Sequence, residues 1–106
     1  MVTSDDGTIL LSIFLRPHHT MPLYEIQQKL EDNDFWTTFP PEGIKVETWY
    51  VMMGIGQVVT LRVPPDRLRE VNRAIELSAW GAFATEFYAS YDFRAIFEEQ
   101  RAKHRD

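Results

Sequence analysis

Two adjacent histidines, His18 and His19, are the first side chains that could serve a reaction. They follow Pro17 and an apolar segment, residues 8–16, so they lie in a loop after a predicted strand. A histidine there could act as a general acid or base, because its ordinary pKa is about 6.5. The alternative is a pair of polar loop residues. No metal site is expected, because adjacent residues seldom direct both rings at one ion and His104 lies in the tail.

A second group of candidate residues lies on two neighbouring predicted strands. Glu47 and Trp49 alternate onto one face of the strand predicted over 44–53, and Arg62 belongs to the strand predicted over 57–63. Trp49 could stack on a flat ligand, and Arg62 could stabilise negative charge that develops on it. The alternatives are a structural ion pair between Glu47 and Arg62 across the hairpin, and a core or interface position for Trp49.

A third group lies on the last predicted strand, residues 83–91. Glu86 and Tyr88 fall on the same face of that strand, because side chains alternate with a period of two. Glu86 could transfer a proton, and Tyr88 could donate a hydrogen bond to a ligand carbonyl. The alternative is an edge strand whose outward positions are polar without further role.

Composition excludes several classes of function. The chain contains no cysteine, which removes thiol catalysis, disulfides, Cys-based zinc sites and iron–sulfur clusters. Its 16 acidic and 11 basic residues give a net charge of −5, which argues against nucleic acid or an anionic membrane as partner. Gly54–Gly56 lacks the third glycine and the helix of a dinucleotide-binding loop, so no nucleotide cofactor is expected. No apolar run approaches the ~20 residues of a membrane span, and the N-terminus is polar and acidic, so we expect a soluble, cytoplasmic protein.

Alternation and turn residues divide the 106 residues into the elements of a single domain. Residues 1–7 are expected to be a loose lead, and residues 94–106 a polar terminal helix and tail. The elements between them are a strand over 8–16, a helix over 22–34, strands over 44–53 and 57–63 joined by a glycine-flanked turn, a helix over 66–79 and a strand over 83–91.

This order predicts two strand–helix–strand units, with both helices on one face of a four-stranded antiparallel sheet. The first strand is so continuously apolar that it is expected to be buried on both faces, with Leu10 and Phe14 opposite Ile9 and Ile13. A bare second face would expose more apolar surface than soluble monomers usually tolerate. We therefore expect a second copy of the chain to cover it in a C2 homodimer.

In element order and strand pattern the chain resembles the dimeric α+β barrel superfamily, whose ferredoxin-like α+β subunits pair sheet to sheet. The resemblance covers residues 8–93 and is carried by TILLSIFLR, IKVETWYVMM–GIG–QVVTLRV and EFYASYDF. It implies a βαββαβ sandwich with a C-terminal helix. Proteins of this shape include muconolactone isomerase-like enzymes, cofactor-independent monooxygenases and ligand-sensing domains, and fold alone does not choose among them.

Two functions stay open at this point. One is a cofactor-independent enzyme acting on a small organic ring compound, with His18 or His19 as acid/base group, Trp49 and Tyr88 holding the ligand, and Arg62 stabilising negative charge. The other is a non-catalytic module for dimerisation or ligand sensing. A closed interior would favour the module, and a pocket of ~300 Å³ or more lined by His, Arg and Tyr would favour the enzyme.

Overall fold

The computed structural model describes residues 6–105, so most of the lead expected over 1–7 lies outside the described residues. Its strands are β1 (Ile9–Pro17), β2 (Lys45–Met52), β3 (Gly56–Val63) and β4 (Phe83–Ser90). Its helices are α1 (Leu23–Asp32), α2 (Phe35–Thr38), α3 (Leu68–Ser78) and α4 (Arg94–His104), with a 3-10 turn over Pro65–Arg67 before α3. The predicted order of elements is confirmed. The helix expected over 22–34 ends earlier, because Asp34 adopts a left-handed conformation with φ of 56°.

The strands form one sheet in the order β2-β3-β1-β4, and each neighbouring pair is antiparallel. β1 therefore lies between β3 and β4, while β2 and β4 form the two edges. These findings confirm an α+β protein with a four-stranded antiparallel sheet, and the arrangement is compatible with a ferredoxin-like domain.

One face of the sheet is buried under the helices. Ile9, Leu11, Ile13 and Leu15 alternate onto this face from β1, and each is at most 7% exposed. They share the core with residues of β3 and the helices, including Val59, Leu61, Val63, Ile26, Leu30, Val71 and Ile75. Burying apolar surface stabilises a fold by roughly 25 cal/mol per Å². The opposite face of β1 is only half-buried in the single chain, so the expectation of two buried faces is not met there.

The helices reach this core through stripes of buried residues spaced three and four apart. In α3 the stripe is Val71, Ala74, Ile75 and Ser78. Ser78 is polar but satisfied, because its hydroxyl donates a hydrogen bond of 2.5 Å to the carbonyl of Ala74. The buried hydroxyl of Ser78 therefore does not carry the free-energy cost of an unpaired polar group.

β2 contains an irregularity between Val46 and Thr48, where its register against β3 shifts. One extra residue in a strand resets the alternation of side chains. Glu47 consequently pairs with Arg62 on the face away from the helices, whereas Trp49 packs against the buried core. The prediction that Glu47 and Trp49 share a face is therefore wrong, and the bulge is the reason.

The terminal helix α4 extends away from the rest of the fold. None of its side chains is buried. The described residues have a radius of gyration of 16.4 Å and extents of 56 × 32 × 18 Å, whereas a compact domain of this length has a radius near 13 Å. No helix within residues 6–105 has the length and apolar character needed to cross a membrane.

Candidate functional site

The sheet surface away from the helices, called here the open sheet face, carries most of the candidate side chains. Residues directly opposite each other in antiparallel strands point to the same side, so the register defines its members. They are Leu10, Ser12, Phe14 and Arg16 of β1, Val58, Thr60 and Arg62 of β3, Lys45, Thr48, Tyr50 and Met52 of β2, and Ala84, Glu86, Tyr88 and Ser90 of β4. Glu47 of β2 joins them through its hydrogen bond with Arg62.

A row of hydroxyl groups crosses the middle of this face. The hydroxyl of Ser12 lies 3.1 Å from that of Thr60 on one side and 3.1 Å from that of Ser90 on the other. Ser90 also donates to the carbonyl of Leu10 at 3.1 Å. These groups are half-buried and satisfy one another, so they can be covered without leaving a donor unpaired. Each hydroxyl can also turn to bond a ligand, because its rotor is free to reorient.

Beside the hydroxyl row lies an aromatic and charged cluster of four side chains. The rings of Phe14 and Tyr88 meet edge to face at a centroid distance of 5.9 Å, and the guanidinium of Arg16 lies 5.6 Å from the Phe14 centroid. Arg16 donates to Glu86 at 2.6 Å, and Tyr88 donates to the other oxygen of that carboxylate at 2.8 Å.

These bonds fix the protonation of both acids in the cluster. The hydrogen bond from Arg16, followed by that from Tyr88, lowers the pKa of Glu86 below its ordinary value. The same carboxylate raises the pKa of Tyr88, because it accepts a hydrogen bond from the phenol and repels a phenolate. Glu86 is therefore ionised and Tyr88 protonated at neutral pH. An ionised carboxylate of lowered pKa is a weak base, so this pair is better suited to holding a ligand than to moving a proton.

A second ion pair stands nearer the end of the face where β3 ends. Arg62 donates to Glu47 at 2.5 Å, and the ammonium of Lys45 lies 3.3 Å from the same oxygen. The hydrogen bond from Arg62, then that from Lys45, lowers the pKa of Glu47. Both side chains of the main pair are about a quarter exposed, at 28% and 27%. This geometry is the cross-strand pair named above as the structural alternative.

The two histidines lie at the opposite end of the sheet, beside the turn between β2 and β3. They line a cavity of about 360 Å³, called here the hairpin cavity, together with Pro17, Val51, Met52 and Gly54–Gln57. His18 is half-buried, and its Nε2 lies 3.4 Å from the carbonyl oxygen of Trp80. His19 is exposed. The residues that line this cavity include neither a carboxylate that would orient a histidine nor an arginine or tyrosine.

Trp49 occupies neither of these surfaces. Its ring packs at 5.7 Å from Phe39 and 6.2 Å from Phe35, inside the aromatic part of the core. Its indole nitrogen donates to Gln57 at 2.7 Å, and Gln57 is part of the wall of the hairpin cavity. Trp49 itself does not line that cavity, and it contacts the cavity wall through this hydrogen bond.

The six predicted site residues thus fall in three places. Glu86 and Tyr88 contact each other, and Arg62 shares their face but not their cluster. His18 and His19 lie together at the hairpin, and Trp49 lies in the core, as described above. Sequence reasoning missed Phe14 and Arg16 as partners of Tyr88 and Glu86. The alternation along β1 could have found them, since both fall on the side opposite Ile13.

No group of three or more His, Asp or Glu side chains that could hold a metal ion occurs within residues 6–105. Comparisons with protein-family models, with curated proteins and with solved structures find no match to the chain.

Proposed function

We propose that the chain works as a homodimer of the dimeric α+β barrel type. In it, two open sheet faces pack together and enclose a binding space for a small organic molecule. The observation that carries the proposal is the open sheet face itself, which is apolar in part and has its polar side chains paired with one another. The chain would then be a binding or sensing module.

The apolar side chains of the open sheet face support self-association. Leu10, Phe14 and Val58 are half-buried, while Tyr50 is 63% exposed and Met52 is 38% exposed. Phe14, Val58 and Tyr50 lie side by side on three neighbouring strands, whereas Leu10 lies beyond Ser12. Soluble chains usually cover an apolar surface of this kind. A second copy of the same face is the simplest cover, because a two-fold axis brings identical surfaces together.

Charge pairing makes this self-association possible in an acidic chain. Two copies of a chain with net charge −5 repel each other at long range. On the open sheet face, however, Glu86 is neutralised by Arg16 and Glu47 by Arg62. Each copy of this face then carries only the single excess positive charge of Lys45, which also contacts Glu47, and few polar groups are left to be desolvated unpaired.

The same face offers the contacts that a small ring compound needs. Two packed sheets lie ~10 Å apart, which leaves room for a planar molecule where side chains are short. Ser12, Thr60 and Ser90 are short and carry hydroxyls, and Phe14 and Tyr88 supply aromatic surface beside them. We infer binding rather than catalysis at this face, because Glu86 and Glu47 are both occupied by hydrogen bonds from arginines.

A second candidate function is an acid/base enzyme whose site is the hairpin cavity. Its volume of about 360 Å³ lies within the range of small-molecule sites, ~300–1,000 Å³. His18 and His19 would be the acid/base groups, in a cofactor-independent isomerase-like or monooxygenase-like reaction. The cavity favours this function, and the missing orienting carboxylate weighs against it.

The experiment has two stages. Sedimentation velocity of the wild-type chain over a concentration series should show a dimer, and a monomer at high concentration would contradict the barrel. A thermal-shift screen of small aromatic and lactone compounds should then raise the melting temperature for compounds that bind the native state. A shift reduced in Tyr88→Phe but kept in Tyr24→Phe assigns the ligand to the open sheet face. A shift lost instead in His18→Ala/His19→Ala assigns it to the hairpin cavity.

A further inference from the structure

The side chain of Gln57 faces the hairpin cavity from the helix side of the sheet. Gln57 lies directly opposite the buried Leu15 of β1 and opposite Val51 of β2, and opposite residues of antiparallel strands point to the same side. Pro17 follows Leu15 by two residues and therefore shares this side. Pro17, Val51 and Gln57 all line the hairpin cavity. Gln57 is therefore placed to present its carboxamide group to that cavity.

The indole of Trp49 determines which end of this carboxamide is free. An indole nitrogen can only donate, so its partner at 2.7 Å is the amide oxygen of Gln57 and not the amide nitrogen. The ring of Trp49 is held in turn by edge-to-face contacts with Phe35 and Phe39. The two N–H groups of the Gln57 amide consequently point away from the indole.

The amide nitrogen of Gln57 is available to a ligand. Among residues 6–105 it has no hydrogen-bond acceptor, since the only side-chain bond of Gln57 is the one from Trp49. No buried side-chain nitrogen or oxygen in this part of the chain lacks a partner, so the unpaired nitrogen is open to solvent. It therefore offers two donors at the cavity wall without a competing acceptor.

The rest of the cavity wall favours a neutral, largely apolar molecule. Nε2 of His18 lies 3.4 Å from the carbonyl oxygen of Trp80, which only accepts, so this nitrogen is a donor that is already engaged. The wall described within residues 6–105 includes no lysine, arginine, aspartate or glutamate. A carboxylate would lose water there without a fixed cation to pair with, whereas a neutral oxygen acceptor needs only an N–H donor. The apolar side chains of the wall are those of Pro17, Val51, Met52 and Ile55.

We propose that the hairpin cavity binds a small, neutral and largely apolar molecule through a carbonyl oxygen, which accepts a hydrogen bond from the amide nitrogen of Gln57. Trp49 is the positioning residue, because its indole holds the amide with the nitrogen free. A small ketone or lactone has this chemistry, and the cavity of about 360 Å³ has room for one. This inference rests on the hairpin cavity as a ligand site, the second candidate function above, and it is independent of the homodimer.

The first test uses three probe molecules of nearly the same shape in NMR titrations of the isotope-labelled full chain. Acetophenone carries a carbonyl oxygen, α-methylstyrene carries a methylene group in its place, and benzoate carries a carboxylate. We expect acetophenone to shift the side-chain amide signals of Gln57 and the backbone amides of residues 54–57 in a saturable way. α-Methylstyrene should shift the backbone amides alone, and benzoate should bind more weakly than acetophenone.

The second test is Gln57→Glu, which keeps an oxygen for the indole of Trp49 and removes the N–H donors. The dissociation constant of acetophenone should rise about 3- to 10-fold, the contribution of one hydrogen bond, while that of α-methylstyrene should stay within about twofold. Trp49→Phe keeps an aromatic ring and lets the amide turn, so it should weaken acetophenone selectively by a smaller factor. The control Gln100→Glu makes the same exchange at an exposed position of α4 and should change neither constant.

The outcomes separate the role of Gln57 from that of the cavity. Equal weakening of acetophenone and α-methylstyrene in Gln57→Glu overturns the assigned hydrogen bond and leaves the hairpin cavity as a ligand site. Equal weakening of both in Trp49→Phe overturns the positioning role of the indole. Tighter binding of benzoate than of acetophenone overturns the neutral ligand class. If none of the three probes shifts residues 54–57 in a saturable way, the cavity itself is overturned as a ligand site.

Discussion

Phe14 is the side chain through which dimerisation can be tested most directly. It lies on an interior strand of the sheet, on the open sheet face, and is half-buried within one subunit. Phe14→Thr keeps a residue that suits a strand and removes the ring. Within one subunit the change removes the edge-to-face contact with Tyr88, which stabilises by about 0.5–1.5 kcal/mol. At a central interface position, loss of an aromatic anchor costs about 2 kcal/mol. A two-fold axis doubles it to about 4 kcal/mol, or a factor of about 10³ in the dissociation constant.

The assay is sedimentation equilibrium of the wild type, of Phe14→Thr and of Tyr24→Gln. Tyr24 is 75% exposed on α1, on the helix-covered side, so its loss should leave the dissociation constant unchanged. The reasoning is refuted if Phe14→Thr dimerises as tightly as Tyr24→Gln while chemical denaturation shows that both are folded.

Two further predictions concern the hairpin and the second ion pair. Gly56→Ala should lower the free energy of unfolding by about 1–3 kcal/mol, because Gly56 has φ of 146° and a Cβ there would collide with the carbonyl oxygen of Leu15. Urea denaturation should show a smaller loss for Gly54→Ala, where φ is also positive but no atom lies within 4 Å of the added Cβ. Arg62→Gln should raise the pKa of Glu47 towards its ordinary value, as followed by NMR titration. Because the pKa of Glu47 is lower in the folded wild type than in the unfolded chain, its ion pair stabilises the wild type above about pH 4.5. The wild type should therefore be more stable than Arg62→Gln in that range, and the difference should disappear as acid protonates Glu47. An unchanged Glu47 titration would show that Lys45 alone holds the carboxylate.

The fold was predictable where one physical pattern dominates a segment. β1 alternates so regularly that the buried face of Ile9, Leu11, Ile13 and Leu15 follows from the period of two. The bulge at Glu47 left no such signal, because an extra residue changes the facing of side chains without changing their types. The aromatic ring of Trp49 suited a ligand as well as the core, and its ring packs against the core.

The candidate site was harder to predict than the fold, because its side chains come from strands distant in sequence. Glu86 and Arg16 are 70 residues apart and meet only through the pairing of β1 with β4. The types of these residues allowed both proton transfer and a structural pair. Only the two hydrogen bonds on Glu86, which hold it ionised, favour the second.

The position of a bound ligand would therefore decide between the two functions, since the open sheet face and the hairpin cavity share only Met52 among their lining residues. On the open sheet face, Glu86 and Glu47 are already engaged as ionised acceptors, so a ligand there meets hydroxyls and aromatic rings but no free base. At the hairpin, His18 and His19 could move protons, but the cavity provides no carboxylate to orient them. If the binding of a compound depends on Tyr88 and not on the histidines, we expect that compound to be bound without being chemically changed. Turnover would require the same compound to reach the histidines. A loss of turnover in His18→Ala/His19→Ala, with binding retained, would separate binding at the open sheet face from acid/base catalysis at the hairpin cavity.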